Sequence, residues 1–262
     1  MNSRILRRGV VPVDKPKGMT SFDVVEHVRK TFGIKKAGHT GTLDPNVTGL
    51  MLIALEESRK AMPVLMGLDK EYKGKMLLHG NVNKEAIQRT FRKFTGEIVQ
   101  KPPVRSRVAR VERKRKIHSL NILRIRGREI TFEVKCEAGT YIRKLVHDMG
   151  VHLGCGAHMI ELRRTAIGPF KISQAIKLAK LSERNLIRLE DVLKKIKLKK
   201  IVVKDDAVHK IRNGSPVLGN FILKKDRTKN EEIVGIFSKN GDIIALARQM
   251  KDKIKTTRVF LF

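Results

Sequence analysis

Apolar positions along the chain change their spacing from strand-like to helical and back. Residues 9–13 read as a short apolar strand leading into a turn over 14–18. Thr20 and Asp23 have the spacing of a capping box. Phe22, Val25, Val28 and Phe32 then recur near the helical period until Gly33 closes the element. Residues 50–55 are apolar without a break and read as a buried strand. A short helix over 57–62 should stop near Pro63, whose ring disfavours helix geometry at the preceding residue. Residues 70–78 read as a strand carrying Tyr72. Asn83 can cap a helix running through Phe94 and ended by Gly96, with Phe91 and Phe94 as core.

Ile130, Phe132, Val134 and Cys136 alternate, which marks a half-buried strand after a turn at 126–128. Gly139 and Thr140 open a helix with Ile142, Leu145, Val146 and Met149 on one face. A strand within 156–170 and an amphipathic helix over 181–193 follow. The lysine-rich joint at 194–200 is the best domain boundary, and short strands and turns come after it. The pattern predicts an α+β fold with a mixed or antiparallel sheet over residues 1–196. A small β-rich module over 197–262 is expected beside it.

One stretch resists any periodic reading. Residues 38–49 hold three glycines, three threonines and a proline, and cannot run as a helix. Pro45 pushes Asp44 toward an extended or turn conformation, so this loop presents one carboxylate on a sterically restricted backbone. Taken alone, Asp-Pro is an ordinary turn starter. Its position just before a core strand makes Asp44 the first candidate for chemistry.

Charge then narrows the partner. Fifty-seven Lys and Arg against 26 Asp and Glu give a net charge of +31 over 262 residues. Such a field calls for a polyanion, with nucleic acid the usual one and an anionic membrane the rival. No segment reads as a membrane anchor or spanning helix. The opening Met1-Asn2-Ser3-Arg4 lacks a signal-like apolar core, so an intracellular protein is expected, cytoplasmic in a prokaryote and nucleolar in a eukaryote. Residues 101–128 carry eleven Lys or Arg and one acid, Glu112. Within this run Arg113, Lys114 and Arg115 are candidates for phosphate contact, the alternative being a solvated face. Arg143, in the first turn of its helix, opposes the helix dipole. It is either a solvated side chain or one aimed at an anion. His152, Cys155 and His158 lie three apart, but Gly154 and Gly156 break the helix that a metal-binding face would need. No metal is expected there, and no phosphate loop or dinucleotide fingerprint calls for a cofactor.

Four motifs, in order, resemble the TruB family of pseudouridine synthases. They are Asp14-Lys15-Pro16-x-Gly18-x-Thr20-Ser21, Gly38-His39-x-Gly41-Thr42-Leu43-Asp44-Pro45, Lys70-Glu71-Tyr72 and Gly139-Thr140-Tyr141-Ile142-Arg143. Glu161-Leu162-Arg163-Arg164-Thr165 extends the likeness, which covers roughly residues 9–170. Residues 201–262 look like a PUA RNA-binding domain. Within the family, residues 78–82, 101–106 and 156–159 are closer to the guide-dependent branch, the dyskerin-type subunit of H/ACA particles. The insertion with which stand-alone enzymes grip the tRNA T-loop is missing after Arg105.

The resemblance implies an RNA isomerase that converts uridine to pseudouridine without a cofactor. Its partners would be substrate RNA, an H/ACA guide RNA and small accessory H/ACA proteins. The alternatives are a stand-alone tRNA enzyme and a non-catalytic RNA-binding assembly factor. It further implies that Asp44 is the catalytic carboxylate, Arg143 its cationic partner, and Tyr72 the residue packing on the target base. His39 would fill the gap left by the flipped nucleotide. Lys15 and Pro16 would support the loop, and Tyr141 and Leu162 would line the substrate site. A carboxylate in a dry pocket has its pKa raised unless a cation opposes that, which is the task expected of Arg143.

Overall fold

Local signals set most element boundaries. Strand β1 (Gly9–Lys15) runs two residues past its apolar core. Thr20 Oγ1 accepts from the Asp23 N–H at 3.1 Å, and the Asp23 carboxylate accepts from the Thr20 N–H at 2.8 Å. This capping box starts helix α1 (Ser21–Phe32), and Gly33 ends it at φ 61°. Strands β2 (Ala37–His39) and β3 (Thr48–Leu55) flank the Asp44 loop. The computed structural model describes residues 8–101, 109 and 111–261.

Pro63 does not stop a helix. A 3-10 turn over Glu56–Ala61 leads into helix α2 (Met62–Met66), with Pro63 in its first turn. A first-turn N–H has no helical partner to lose, so proline fits there. Strand β4 (Lys70–Leu78) and helix α3 (Lys84–Lys93), capped by Asn83, follow the pattern. Strands β5 (Gly96–Gln100), β6 (Arg113–Arg126) and β7 (Glu129–Cys136) lead to helix α4 (Ile142–His152) and strand β8 (Ala157–Ile167).

The expected helix over 181–193 forms only at its end. After the short strands β9 (Phe170–Lys171) and β10 (Ile176–Lys177), Asn185 Oδ1 accepts from both the N–H and the hydroxyl of Ser182. Those bonds hold a 3-10 turn instead of a helix. Strand β11 (Ile187–Arg188) then pairs with β1, leaving only Leu189–Lys195 for helix α5. The C-terminal portion also holds a helix the strand-and-turn reading passed over. Between β12 (Lys200–Val203) and β13 (Ile222–Lys225) lies α6 (Asp205–Arg212). Two aspartates open α6 and His209, Lys210 and Arg212 close it, a charge order that suits the helix dipole. Strands β14 (Ile233–Phe237), β15 (Ile243–Gln249) and β16 (Ile254–Val259) complete the chain.

The strands make two sheets. The larger has the order β10-β1-β3-β8-β4-β7-β6-β5, with β2, β9 and β11 at its sides; the smaller runs β13-β12-β14-β15-β16. Both are mixed, and the fold is α+β. Helices α1, α3 and α4 cover one face of the larger sheet, packing Val28, Phe91 and Val146 against Val13, Met51, Phe132 and Val134. On the other face of β1 and β3, Val10, Leu50, Leu52 and Ala54 meet α5 and also Ile243, Leu246 and Phe260 of the smaller sheet. Strand β3 is thus buried on both faces, which is why its sequence is apolar without alternation. Strand β7 is covered on one face only and alternates.

The two halves of the larger sheet join where β3 and β8 pair in parallel, Thr48 with Arg163 and Gly49 with Arg164. A Cβ on Gly49 would lie 2.3 Å from the Arg164 carbonyl oxygen, and its φ is +112°. Gly96 has a similar φ of +105° but open space around it. Gly49→Ala is therefore expected to cost at least about 3 kcal/mol, lowering Tm by about 6 °C or more, and Gly96→Ala roughly 1–2 kcal/mol. Thermal unfolding of both variants checks this. Equal losses would mean that φ alone, and not the close approach at the seam, requires glycine.

Candidate active site

The Asp44 loop leaves the sheet at this seam and is tied down on every side. Lys15 Nζ, fully buried, donates to the carbonyls of Pro16 (2.9 Å) and Pro45 (3.0 Å). The Gly18 N–H donates to the same Pro45 carbonyl at 2.9 Å. Ser21 Oγ donates to the Leu43 carbonyl and accepts from the Leu43 N–H, at 2.9 and 2.8 Å. Arg164, 1% exposed, donates from Nε to the Leu50 carbonyl (2.7 Å) and from Nη2 to the Gly41 carbonyl (3.0 Å). Arg163 forks onto Asp14 through bonds of 3.0 and 2.7 Å, fastening β8 to β1 across β3. Hydrogen bonds from a charged donor contribute about 1.5–3 kcal/mol each. The loop is held more firmly than its composition alone would allow.

Above this base Asp44 Oδ2 meets Arg143 Nη2 at 2.7 Å. Both side chains are open, 44% and 62% exposed, so the described residues alone do not form the dry pocket expected around Asp44. An ion pair this exposed contributes roughly 0–1 kcal/mol to stability. Its value lies in position. Arg143 is the second residue of α4, and the start of that helix is fixed from the sheet. Gln100 Oε1 accepts from the Tyr141 N–H at 3.0 Å while Gln100 Nε2 donates to the Tyr141 carbonyl at 3.1 Å. Thr140 Oγ1 donates to the Glu137 carbonyl at 2.7 Å and tightens the turn before it.

Tyr72 lies on β4, paired across the ladder with Arg164, and is 9% exposed. Burial pushes its phenol pKa up, opposed by the Arg164 guanidinium, so the ring is a neutral phenol at physiological pH. His39, at the end of β2, has its pKa lowered by burial and by the charge of Arg164. Its Nδ1 accepts from the Gly41 N–H at 3.3 Å, which assigns the other proton to Nε2 in the neutral ring. Lys15 is likewise pushed down by burial, against the pull of Asp44 and Asp23. Lys70, beside Tyr72, is lowered to about 8 by burial and Arg164, and bonds the Met66 and Leu68 carbonyls at 2.6 Å each.

The structure thus gathers Asp44, Arg143, His39, Tyr72, Lys15 and Pro16 at the seam and the loop above it. Tyr141 caps α4 next to Arg143. Leu162 is half-buried on β8 opposite Gly74, packed against the main core. Arg113, Lys114 and Arg115 lie on β6, paired with the edge strand β5 on the far side of the sheet from β1. Lys114 pairs with Glu97 at 2.8 Å, and Arg115 lies against Gly139. Pro102, Pro103 and Arg105 lie outside the described residues, and with them the expected loss of an insertion. His152 packs edge-on against Phe94, and His158 bonds His79 at 2.8 Å. Among the described residues no helix is long and apolar enough to cross a membrane.

Three residues carry more of this geometry than the sequence assigns them. Arg164 lies in the motif that holds Leu162, and Ser21 in the one that holds Lys15 and Pro16. Gln100 lies in no motif. An arginine in strand register with Leu162 and Ala166 is the available signal for Arg164, because a charge on a core-facing row needs internal partners.

The chain is similar to known proteins over nearly its whole length. The TruB family pseudouridylate synthase N-terminal domain matches residues 29–142, and the tRNA pseudouridylate synthase B C-terminal domain matches residues 143–206. A probable tRNA pseudouridine synthase B from Methanopyrus kandleri is 41% identical, covering 92% of this chain and 75% of the relative. Its counterpart in Methanocaldococcus jannaschii is also 41% identical, over 94% and 77%. The crystal structure of a Cbf5–Nop10–Gar1 complex superimposes with a TM-score of 0.90 at 36% identity, covering 99% of this chain and 87% of that one. An H/ACA particle bound to a substrate RNA containing 2′-deoxyuridine gives 0.86 at 34%, over 99% and 87%. A carboxylate fixed at a sheet seam, faced by an arginine and backed by a buried tyrosine, lies in a chain of this likeness: it belongs to the TruB family of pseudouridine synthases, enzymes that isomerise uridine in RNA.

Proposed function

We propose that the chain forms pseudouridine at Asp44, on uridines selected by an H/ACA guide RNA and with small accessory proteins bound. The carrying observation for the chemistry is the 2.7 Å pair between Asp44 and Arg143 on a rigid loop. In the reaction the bond from the ribose to N1 of uracil breaks and a bond to C5 forms. C5 loses a proton and N1 gains one, so the atoms balance and no co-reactant is needed. A stacked uridine cannot reach Asp44, so it is flipped out, with His39 taking the space it leaves. Asp44 acts on the ribose as nucleophile or base, in either case with its carboxylate held at 2.7 Å by Arg143. Covering the site with RNA lowers the local dielectric. The same pair then strengthens from about 1 kcal/mol in water toward about 4 kcal/mol at an effective dielectric of 20. Tyr72, a neutral phenol, packs on the base, and Tyr141 and Leu162 complete the walls.

Guide dependence rests on the overlap with the Cbf5–Nop10–Gar1 complex and with the substrate-bound H/ACA particle, each over 99% of this chain. Residues 1–196 form the catalytic unit and 197–262 a PUA-like unit that holds the guide, and the protein works in the cytoplasm. The curated relatives' names favour a second reading, a tRNA enzyme acting alone.

Asp44→Asn should abolish pseudouridine formation while leaving RNA affinity within about twofold, since the amide keeps the shape and loses the charge. Arg143→Met should slow turnover at least tenfold with little change in Tm, as expected for an exposed pair. Mapping of pseudouridine in treated RNA, with parallel binding and melting curves, checks both. Retained turnover in the Asp44 variant would remove the mechanism. For the basic edge, replacing Arg113, Lys114 and Arg115 together by Ala should flatten the log–log salt dependence of RNA binding by about 0.7–0.9 per lost phosphate contact. An unchanged slope makes that edge a solvated face. Finally, the protein alone should modify a tRNA transcript weakly and gain site-specific activity when guide and accessory proteins are added. Efficient unguided T-loop modification would establish the second reading instead.

A further inference from the structure

Most aromatic rings in this chain are covered. Tyr72, Phe32, Phe91, Phe132, Phe170, Phe221 and Phe260 are buried, and Phe94, Phe237 and Tyr141 are half-buried. Phe22 is the exception: it is 70% exposed and the one exposed aromatic among the described residues. A lone exposed apolar residue ordinarily needs no explanation. Its surroundings supply one.

Phe22 stands in the first turn of α1, the turn stitched to the catalytic loop at two places. Gly18 donates to the Pro45 carbonyl, and Ser21, the residue before Phe22, bonds both backbone groups of Leu43, the residue before Asp44. Summing these links puts the Phe22 and Asp44 Cα atoms within about 12 Å of each other by standard geometry. The capping box between Thr20 and Asp23 fixes the direction in which this turn leaves the loop. Phe22 is therefore an exposed ring on a rigid mount in the neighbourhood of the open Asp44–Arg143 pair, in a chain of net charge +31. An exposed apolar ring near a site that takes RNA matches the platforms on which unpaired bases stack.

We propose that Phe22 is a substrate-binding residue that stacks on a base flanking the target uridine and holds the opened strand while that uridine is turned toward Asp44. This rests on the RNA-modifying reading above and adds a contact to it. The stack is sequence-tolerant, because every base offers a face. It supplies grip without choosing the target, and the choice stays with base pairing elsewhere.

The test compares Phe22→Ala, Phe22→Leu and Phe22→Trp with the wild-type protein on an RNA that the wild type converts. Guide and accessory proteins are included where conversion needs them, and 2-aminopurine is placed in turn at each nucleotide flanking the target. Because Phe22 is exposed, all variants should keep the wild-type Tm. Phe22→Ala should raise KM about tenfold, the scale of one lost base–aromatic stack, with kcat within about twofold. Phe22→Leu should resemble Ala and Phe22→Trp should restore the wild-type KM. Wild type and Trp should quench 2-aminopurine at one flanking position, and Ala should not. An unchanged KM in Phe22→Ala overturns the proposal, as does full rescue by Leu. Loss of stimulation by the accessory proteins with RNA affinity intact would assign the ring to protein docking and also overturn it. A wrong guide assignment lowers every variant alike and leaves the ratios between them unchanged.

Discussion

A buried guanidinium held by backbone carbonyls organises the larger sheet of this protein. Arg164 is almost wholly buried, and its guanidinium donates to the carbonyls of Leu50 and Gly41. Burying a guanidinium is tolerable only when its donors are met, and here the acceptors belong to the backbone on both sides of the Asp44 loop. The strand carrying Arg164 comes so close to Gly49 that no side chain fits between them. The two halves of the sheet, the entry and exit of the loop, and the electrostatics at Tyr72 and His39 all meet in one side chain. Moving it would shift the Asp44 loop, disturb the neighbour of Tyr72 and open the seam together.

What was legible in the sequence followed from local physics. The capping box at Thr20, the Asn83 cap, the alternation of 130–136 and the unbroken run at 50–55 each led to the right element, because propensity and burial agree there. Pro63 misled because the same ring that ends a helix from within can begin one. Residues 181–193 misled because Ser182 and Asn185 satisfy the backbone locally, and the free edge of β1 then takes up Ile187 and Arg188. Asp44, Arg143 and Tyr72 were readable through motifs. Arg164, Ser21 and Gln100 were not, since their value comes from backbone groups far away in sequence that only the folded chain brings within reach.

The smaller sheet is not an appendage on a tether. Ile243, Leu246 and Phe260 share a core with Val10, Leu52 and Leu189, and Arg8 joins Glu190 to Asp242 at 3.3 and 2.6 Å. Cutting at the lysine-rich joint would strip apolar surface from both parts, so the role of the smaller sheet is better probed by surface charge changes than by deletion. The shared core also fixes the span from any RNA held on the smaller sheet to Asp44, and so acts as a ruler.

The openness of the Asp44–Arg143 pair has a consequence for fidelity. During isomerisation the uracil is briefly detached, and a stray water at the ribose would turn a rearrangement into an abasic lesion. Among the described residues nothing closes over the pair, and both its partners face solvent. RNA seated on the site would serve as a lid. An incorrectly seated strand leaves the pair wet and weak, while a correctly seated one closes the chamber that protects it, so the substrate guards itself against damage.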